Sequence, residues 1–253
     1  MIADCCVMVG TSINGYELEP ESLLNEMDRL HVDISVIVPV QPKTYCLEPQ
    51  NDYISMISKK NRNRLIGFAR VDPRLGKDSE SELERCVYEL GLKGLFLHPW
   101  EEGYRADDSL TAAVAKRAGL LKIPVVISAG FPWVSHALQI GELAKMCPDT
   151  TIIMTHGGQL NISGLAQNDA FTALKDNPNI LMNTTGVYRQ DFIKEVIASL
   201  GCRRVLFGSG SPVFNQEFEL ERAKSAAGFN AEAIKRILGL NLIEILNTGQ
   251  YEP

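Results

Sequence analysis

Short apolar runs rich in β-branched residues recur along this chain of 253 residues, and amphipathic stretches separate them. This alternation constrains the fold more than any other feature. The runs lie at residues 3–10, 34–40, 65–71, 94–99, 124–130, 151–155, 179–183 and 204–208. Each is of strand length and apolar enough to be buried on both faces, as strands of a parallel sheet must be. Helical spacing marks 20–30, where Leu23, Leu24, Met27 and Leu30 share a face, and also 51–60, 79–90, 109–121, 136–146, 165–175, 217–226 and 231–246. Eight strands alternating with helices over about 250 residues predict an α/β fold, a (β/α)8 TIM barrel forming a single domain over 1–253. An open dinucleotide-binding sheet would carry GxGxxG after its first strand, and that motif is missing. The tail at 250–253 is expected to fray.

Composition narrows the partners. A formal net charge of −6 offers no basic footprint for nucleic acid or for an anionic membrane surface. No apolar run reaches the roughly 18 residues of a membrane span. The acid at Asp4 and the lack of a basic leader predict a cytoplasmic protein. Six scattered cysteines without a CxxC pair are expected to be reduced, most of them as small core residues. A small-molecule ligand is the partner predicted; no nucleic acid or membrane is, and assembly into a homo-oligomer is left open.

In a barrel of this kind the functional groups sit at the C-terminal ends of the strands. His156, followed by Gly157 and Gly158, ends one strand and is the leading candidate for a catalytic residue, with a structural histidine as the plain alternative. Cys6 and Met8 lie two apart, hence on one strand face. Cys6 with His156 would make a thiol–imidazole pair, to which Ser128 or Ser209 could add hydrogen bonds. Cys5 should point the other way. Trp100, Tyr104, Arg105, Phe131 and Trp133 fall on mouth-side loops. Trp100, Arg105, Ser128 and Trp133 are the candidate substrate-binding residues, since a guanidinium fork suits a carboxylate and aromatic faces stack on planar ligands. A hydrophobic lid is the alternative for the aromatics. His98-Pro99 is read as architectural, and His31 and His136 as surface or interface residues.

Several words in this order and spacing carry a family resemblance. They are Asp4 and Gly10 flanking Cys6 and Met8; Gly91-Leu92-Lys93-Gly94 running to His98-Pro99; Asp107-Asp108-Ser109-Leu110; Ile123-Pro124-Val125-Val126; His156-Gly157-Gly158; Phe207-Gly208-Ser209 with Pro212; and Ile237-Leu238-Gly239-Leu240-Asn241. Together they resemble the amidohydrolase-related (amidohydrolase 2) family of metal-dependent hydrolases and decarboxylases. The resemblance implies a divalent metal, usually zinc, at the barrel mouth, held at the positions of Cys6, Met8, Ser128 and Gly210, with His156 as ligand or acid–base. Of these five only His156 keeps the family's residue type. The resemblance therefore implies a barrel whose metal site is largely lost, with no metal ligand and no cofactor assigned. Its role would be small-molecule binding or degenerate hydrolysis. The alternatives are an active hydrolase or decarboxylase using Cys6 and His156 or an atypical zinc site, a soft copper(I) or zinc site of Cys6, Met8 and His156, and a non-catalytic partner of an active relative.

Overall fold

The structure is a computed structural model that describes residues 1–160, 164–228 and 230–248. Eight parallel barrel strands follow the predicted runs. They are β1 (Ala3–Thr11), β2 (Ile34–Pro39), β3 (Leu65–Gly67, continued by Ala69–Arg70), β4 (Leu95–Leu97), β5 (Val125–Ile127), β6 (Ile152–Met154), β7 (Ile180–Asn183) and β8 (Val205–Leu206). A short strand, Glu17–Leu18, turns back antiparallel on the end of β1.

The ladders form two arcs that meet at β3. Its first half pairs with β2, Ser35 opposite Leu65, and its second half with β4, Ala69 opposite Leu95. From β4 the pairing runs in sequence order to β8. Between β8 and β1 there is no regular ladder, but backbone bonds span the gap: Cys5 N donates to Phe207 O at 3.0 Å, Gly210 N to Cys6 O at 2.9 Å, and Met8 N to Ser211 O at 2.8 Å. The irregularity has a local cause. The register of β1 against β2 shifts between Asp4 and Val7, as a bulge does.

Strand alternation sorts the core into two layers. Inside the ring lie Val36, Val38, Phe68, Phe96, Val126, Ile153, Leu181 and Leu206. Their neighbours Ile37, Leu95, Leu97, Val125, Ile127, Ile152, Ile180, Met182 and Val205 face outward beneath the helices. Burying each such aliphatic side chain is worth roughly 1.5–3 kcal/mol. The helices answer with one apolar stripe each, for example Leu23 and Met27 on Pro20–Leu30. At the foot of β4, Gly94 leaves room for the Phe68 ring, which a Cβ would strike.

Three details depart from the sequence. The bulge places Cys5 in the inner layer beside Cys6, not on the opposite face, and Asn183 Nδ2 approaches its sulfur at 3.5 Å. A helix, Gln190–Leu200, which the sequence did not mark, buries Phe192, Ile193 and Val196 between β7 and β8. The helix expected over 231–246 divides into Ala231–Lys235, a wide turn Arg236–Leu240 and Asn241–Thr248. Gly239 in that turn sits against the carbonyl of Met1, 2.8 Å from where a Cβ would be. The tail at 250–253 lies outside the described residues. No helix among the described residues is long and apolar enough to cross a membrane.

Candidate functional site at the barrel mouth

Cys6, Met8, Ser128, His156 and Gly210 come from four different strand ends and line one cavity of about 270 Å³ at the C-terminal mouth. Tyr16, Phe96, His98, Trp100, Glu101, Phe131, Thr155, Leu160, Thr185, Val213 and Phe214 complete its wall. The wall is mainly apolar and aromatic. Trp100 stacks on Phe131 with centroids 5.6 Å apart and 10° between planes, and Phe131 leans on His98 at 5.6 Å.

His156 is held in an unusual backbone conformation. It has φ 55°, and Gly157 and Gly158 after it have φ 56° and 78°, so the chain turns sharply inward off β6. A non-glycine residue at positive φ is costly unless its surroundings enforce it. Here Asn183 Oδ1 accepts from His156 N at 3.1 Å, and the ring packs 5.6 Å from that of Phe214. His156 Nδ1 lies 3.1 Å from Thr185 O. A carbonyl can only accept, so Nδ1 carries the proton and Nε2 keeps its lone pair. Burial pushes the imidazole down to about 4, which keeps it neutral at physiological pH.

His98 is the opposite tautomer. As N-cap of the short helix Pro99–Glu102 it accepts Glu101 N at Nδ1 over 3.2 Å, leaving the proton on Nε2. Burial lowers it to about 3. The same helix delivers two carboxylates to Arg70, which is fully buried at the end of β3. Arg70 Nη2 bonds Glu101 Oε2 at 2.5 Å, Nε bonds Glu102 Oε1 at 2.8 Å, and Nη1 donates to Pro39 O at 3.0 Å. Its guanidinium also lies 5.5 Å from the Phe96 centroid. Glu101 further accepts from Tyr16 Oη at 3.1 Å and from Asn14 Nδ2 at 2.6 Å. Although burial opposes it, the Arg70 guanidinium and the Tyr16 hydroxyl hold its carboxyl below the usual range. Burial dominates at Glu102 and raises it to about 7 despite Arg70. Sequence reasoning passed over this cluster. The Pro-Trp-Glu-Glu run after a strand-end histidine was its available signal.

The other predicted residues divide. Trp100 and Ser128 line the cavity. Arg105 does not: its side chain is 61% exposed and forms an ion pair with Asp107 at 2.8 Å. Trp133 is 81% exposed and also lies outside the lining, while Tyr104 is buried away from it. Arg105 and Trp133 face solvent although Trp100 and Phe131 nearby line the cavity, a division that strand-end logic cannot foresee. Cys6 reaches the cavity, but burial and the neighbouring Asp4 charge push its thiol far up, so it is no ready nucleophile. No hydrogen bond joins it to His156 among the described residues. His31 caps the helix Pro20–Leu30, and His136 pairs with Asp169 at 3.4 Å on the outer surface. Ser209 N donates to Asp4 instead of serving the cavity.

Comparison with known proteins places this geometry. Residues 13–247 match the family described as Amidohydrolase. The chain belongs to the amidohydrolase family. Over 126 residues, 46% of this chain and 34% of the relative, it is 30% identical to 2-amino-3-carboxymuconate-6-semialdehyde decarboxylase of Dictyostelium discoideum. The match thus spans about a third of that curated relative. Among solved structures, 2,6-dihydroxybenzoate decarboxylase from Rhizobium superposes with a TM-score of 0.75 at 16% identity, covering 97% of this chain and 98% of that one. An uncharacterised TIM-barrel protein from Bordetella bronchiseptica gives 0.76 at 16% identity, covering 98% and 99%. At such identities these structures speak for the barrel fold.

A catalytic zinc needs about three His, Cys or carboxylate ligands and an open position. Among the described residues no three His, Cys, Asp or Glu side chains are grouped to hold an ion. At the strand-eight position Gly210 has φ 65°, and a Cβ there would run into the Thr185 methyl. The donor set does not fit the metal. Asp4, the family-type acid of β1, is occupied by Cys6 N at 3.2 Å, Ser209 N at 2.9 Å and Gln216 Nε2 at 2.9 Å, and so ties β1 to the segment after β8.

Proposed function

We propose that this amidohydrolase-family barrel binds a small molecule at its mouth without the family's metal, and that hydrolytic activity is weak or absent. One observation carries the proposal: the five strand-end positions of the inherited centre meet in a single cavity, and four of them hold Cys, Met, Ser and Gly in place of the expected ligands. The side chains that replaced them are small or apolar, which suits an aromatic-walled binding pocket better than a Lewis-acid site. His156 is its polar anchor, with Nε2 available to accept a hydrogen bond.

Within this proposal the chain's own residues do the following. Trp100 and Phe131 offer a flat face, Ser128 a hydroxyl, and His98 Nε2 a donor. Glu101 and Arg70 stiffen the floor. The rival in which Cys6 attacks with His156 as base is less well supported, because burial and the Asp4 charge outweigh Arg70 at the Cys6 thiol and a base titrating near 4 is weak at neutral pH. The formal net charge of −6 favours a protein without a nucleic-acid partner.

Elemental analysis of protein expressed in zinc-supplemented medium and purified without chelator tests the proposal. Well under 0.1 zinc per chain, roughly, is expected from the missing ligands. About one tightly held zinc per chain would overturn it.

A further inference from the structure

The polarity of the mouth cavity bears on what it can hold. None of its described lining residues is a lysine or an arginine, while Glu101 contributes a carboxylate. The nearby cation, Arg70, is committed to Glu101, to Glu102 and to Pro39 O. Arg105, on the outer loop, is paired with Asp107. The two imidazoles are uncharged and of opposite tautomer, so His98 Nε2 donates and His156 Nε2 accepts. An anion entering here would leave water, meet no free cation and face a carboxylate, an arrangement that weakens its binding.

We propose that the cavity selects an uncharged planar ring ligand bearing both a hydrogen-bond donor and an acceptor, such as an aromatic amide, over the corresponding aromatic carboxylate, with Glu101 as the residue that sets this preference. The inference rests on the small-molecule proposal above. The ring stacks in the Trp100–Phe131 wall, its N–H donates to His156 Nε2, and its carbonyl accepts from His98 Nε2 or Ser128 Oγ. A cavity of about 270 Å³ holds one or two rings.

The test compares two isosteric probes, benzamide and benzoate, by isothermal titration calorimetry at pH 7.5. It is paired with fluorescence in a Trp133→Phe background, so that the signal comes from Trp100. Benzamide is expected to bind at least about tenfold more tightly than benzoate, from the like-charge and desolvation cost of the carboxylate. Glu101→Gln, which removes the facing charge and frees part of Arg70, should narrow that gap to about threefold or less. Thermal melting verifies that the variant is folded. Benzoate binding as tightly as benzamide in the unmodified protein would overturn the inference while leaving small-molecule binding intact. An unchanged gap in folded Glu101→Gln would overturn the role of Glu101. Failure of both probes to bind at millimolar concentration would count against the small-molecule proposal, and the inference would fall with it.

Discussion

His156 Nδ1 and the carbonyl oxygen of Thr185, 3.1 Å apart, fix the tautomer of the imidazole that ends β6. The bond turns Nε2 into an acceptor without a metal being needed to orient the ring. Thr185 also backs Gly210, its methyl standing against the place a Cβ would take, so one residue both anchors the imidazole and limits the side chain at 210.

The buried imidazole has a pH signature. His156 is held down to about 4, below the ordinary 6.5, so between these values the unfolded chain binds more protons than the folded one. The contribution is fully present above about pH 6.5 and is lost as pH falls toward 4, by about 3 kcal/mol at full extent. Glu102, raised to about 7 from 4.5, works in the opposite direction, its share being lost as pH rises through that window. Urea unfolding of the unmodified protein and of His156→Gln at pH 7.5 and 5.0 isolates the histidine: the stability difference between the two proteins should shift toward the variant at pH 5.0. A pH-independent difference would refute this.

Restoring the strand-eight acid should fail. Gly210→Asp places a side chain at φ 65° and against the Thr185 methyl, and is expected to lose roughly 1–3 kcal/mol of stability. Thr185→Ser in the same chain removes that methyl and should recover part of the loss. Thermal melts of the single and double variants check this, and equal melting temperatures for Gly210→Asp and the unmodified protein would contradict it. The combined variant Cys6→His, Met8→His, Ser128→His and Gly210→Asp should accordingly bind zinc weakly at best in calorimetry.

Asp4 is predicted to be a staple and not a catalytic acid. Its carboxylate accepts three hydrogen bonds from Cys6, Ser209 and Gln216, across a gap with no regular ladder. Asp4→Ala strands those buried donors and should cost roughly 2–4 kcal/mol in urea unfolding. In Asp4→Asn the amide oxygen can keep Cys6 N and Ser209 N while its NH2 group donates to Gln216 Oε1 once that amide turns over, so this variant should lose less than Asp4→Ala. An Asp4→Ala protein as stable as its parent would refute the assignment.

Arg70 is predicted to be replaceable by neither lysine nor methionine without loss. It is fully buried between Glu101 and Glu102; Nη2 bonds both carboxylates and Nε bonds Glu102 as well. Arg70→Met leaves two carboxylates without their cation and should cost roughly 3–5 kcal/mol. Arg70→Lys keeps the charge but not the fork, and should fall between the two. Denaturant midpoints rank the three proteins, and a neutral Arg70→Met would show that the pair is not structural.

The sequence by itself determined the succession of strands and helices, and the words it shares with the family named the five positions at the mouth. Strand and helix faces are written at separations of two to four residues: alternation sets the one and a 3.6-residue period the other, and a strand end in a parallel barrel has one available location. It also marked Trp100 and Ser128 as mouth residues, and in the structure both line the cavity. Only the tertiary structure decided what those positions meet. Arg70 and Glu102 are 32 residues apart, Asp4 and Gln216 are 212 apart, and no local period records such pairings. The bulge that turned Cys5 inward, the exposure of Arg105 and Trp133, and the helix Gln190–Leu200 likewise depended on packing against distant chain. Whether a buried imidazole donates or accepts, and whether an arginine is free or already satisfied, is fixed by neighbours brought together in three dimensions; composition and spacing carry no record of it.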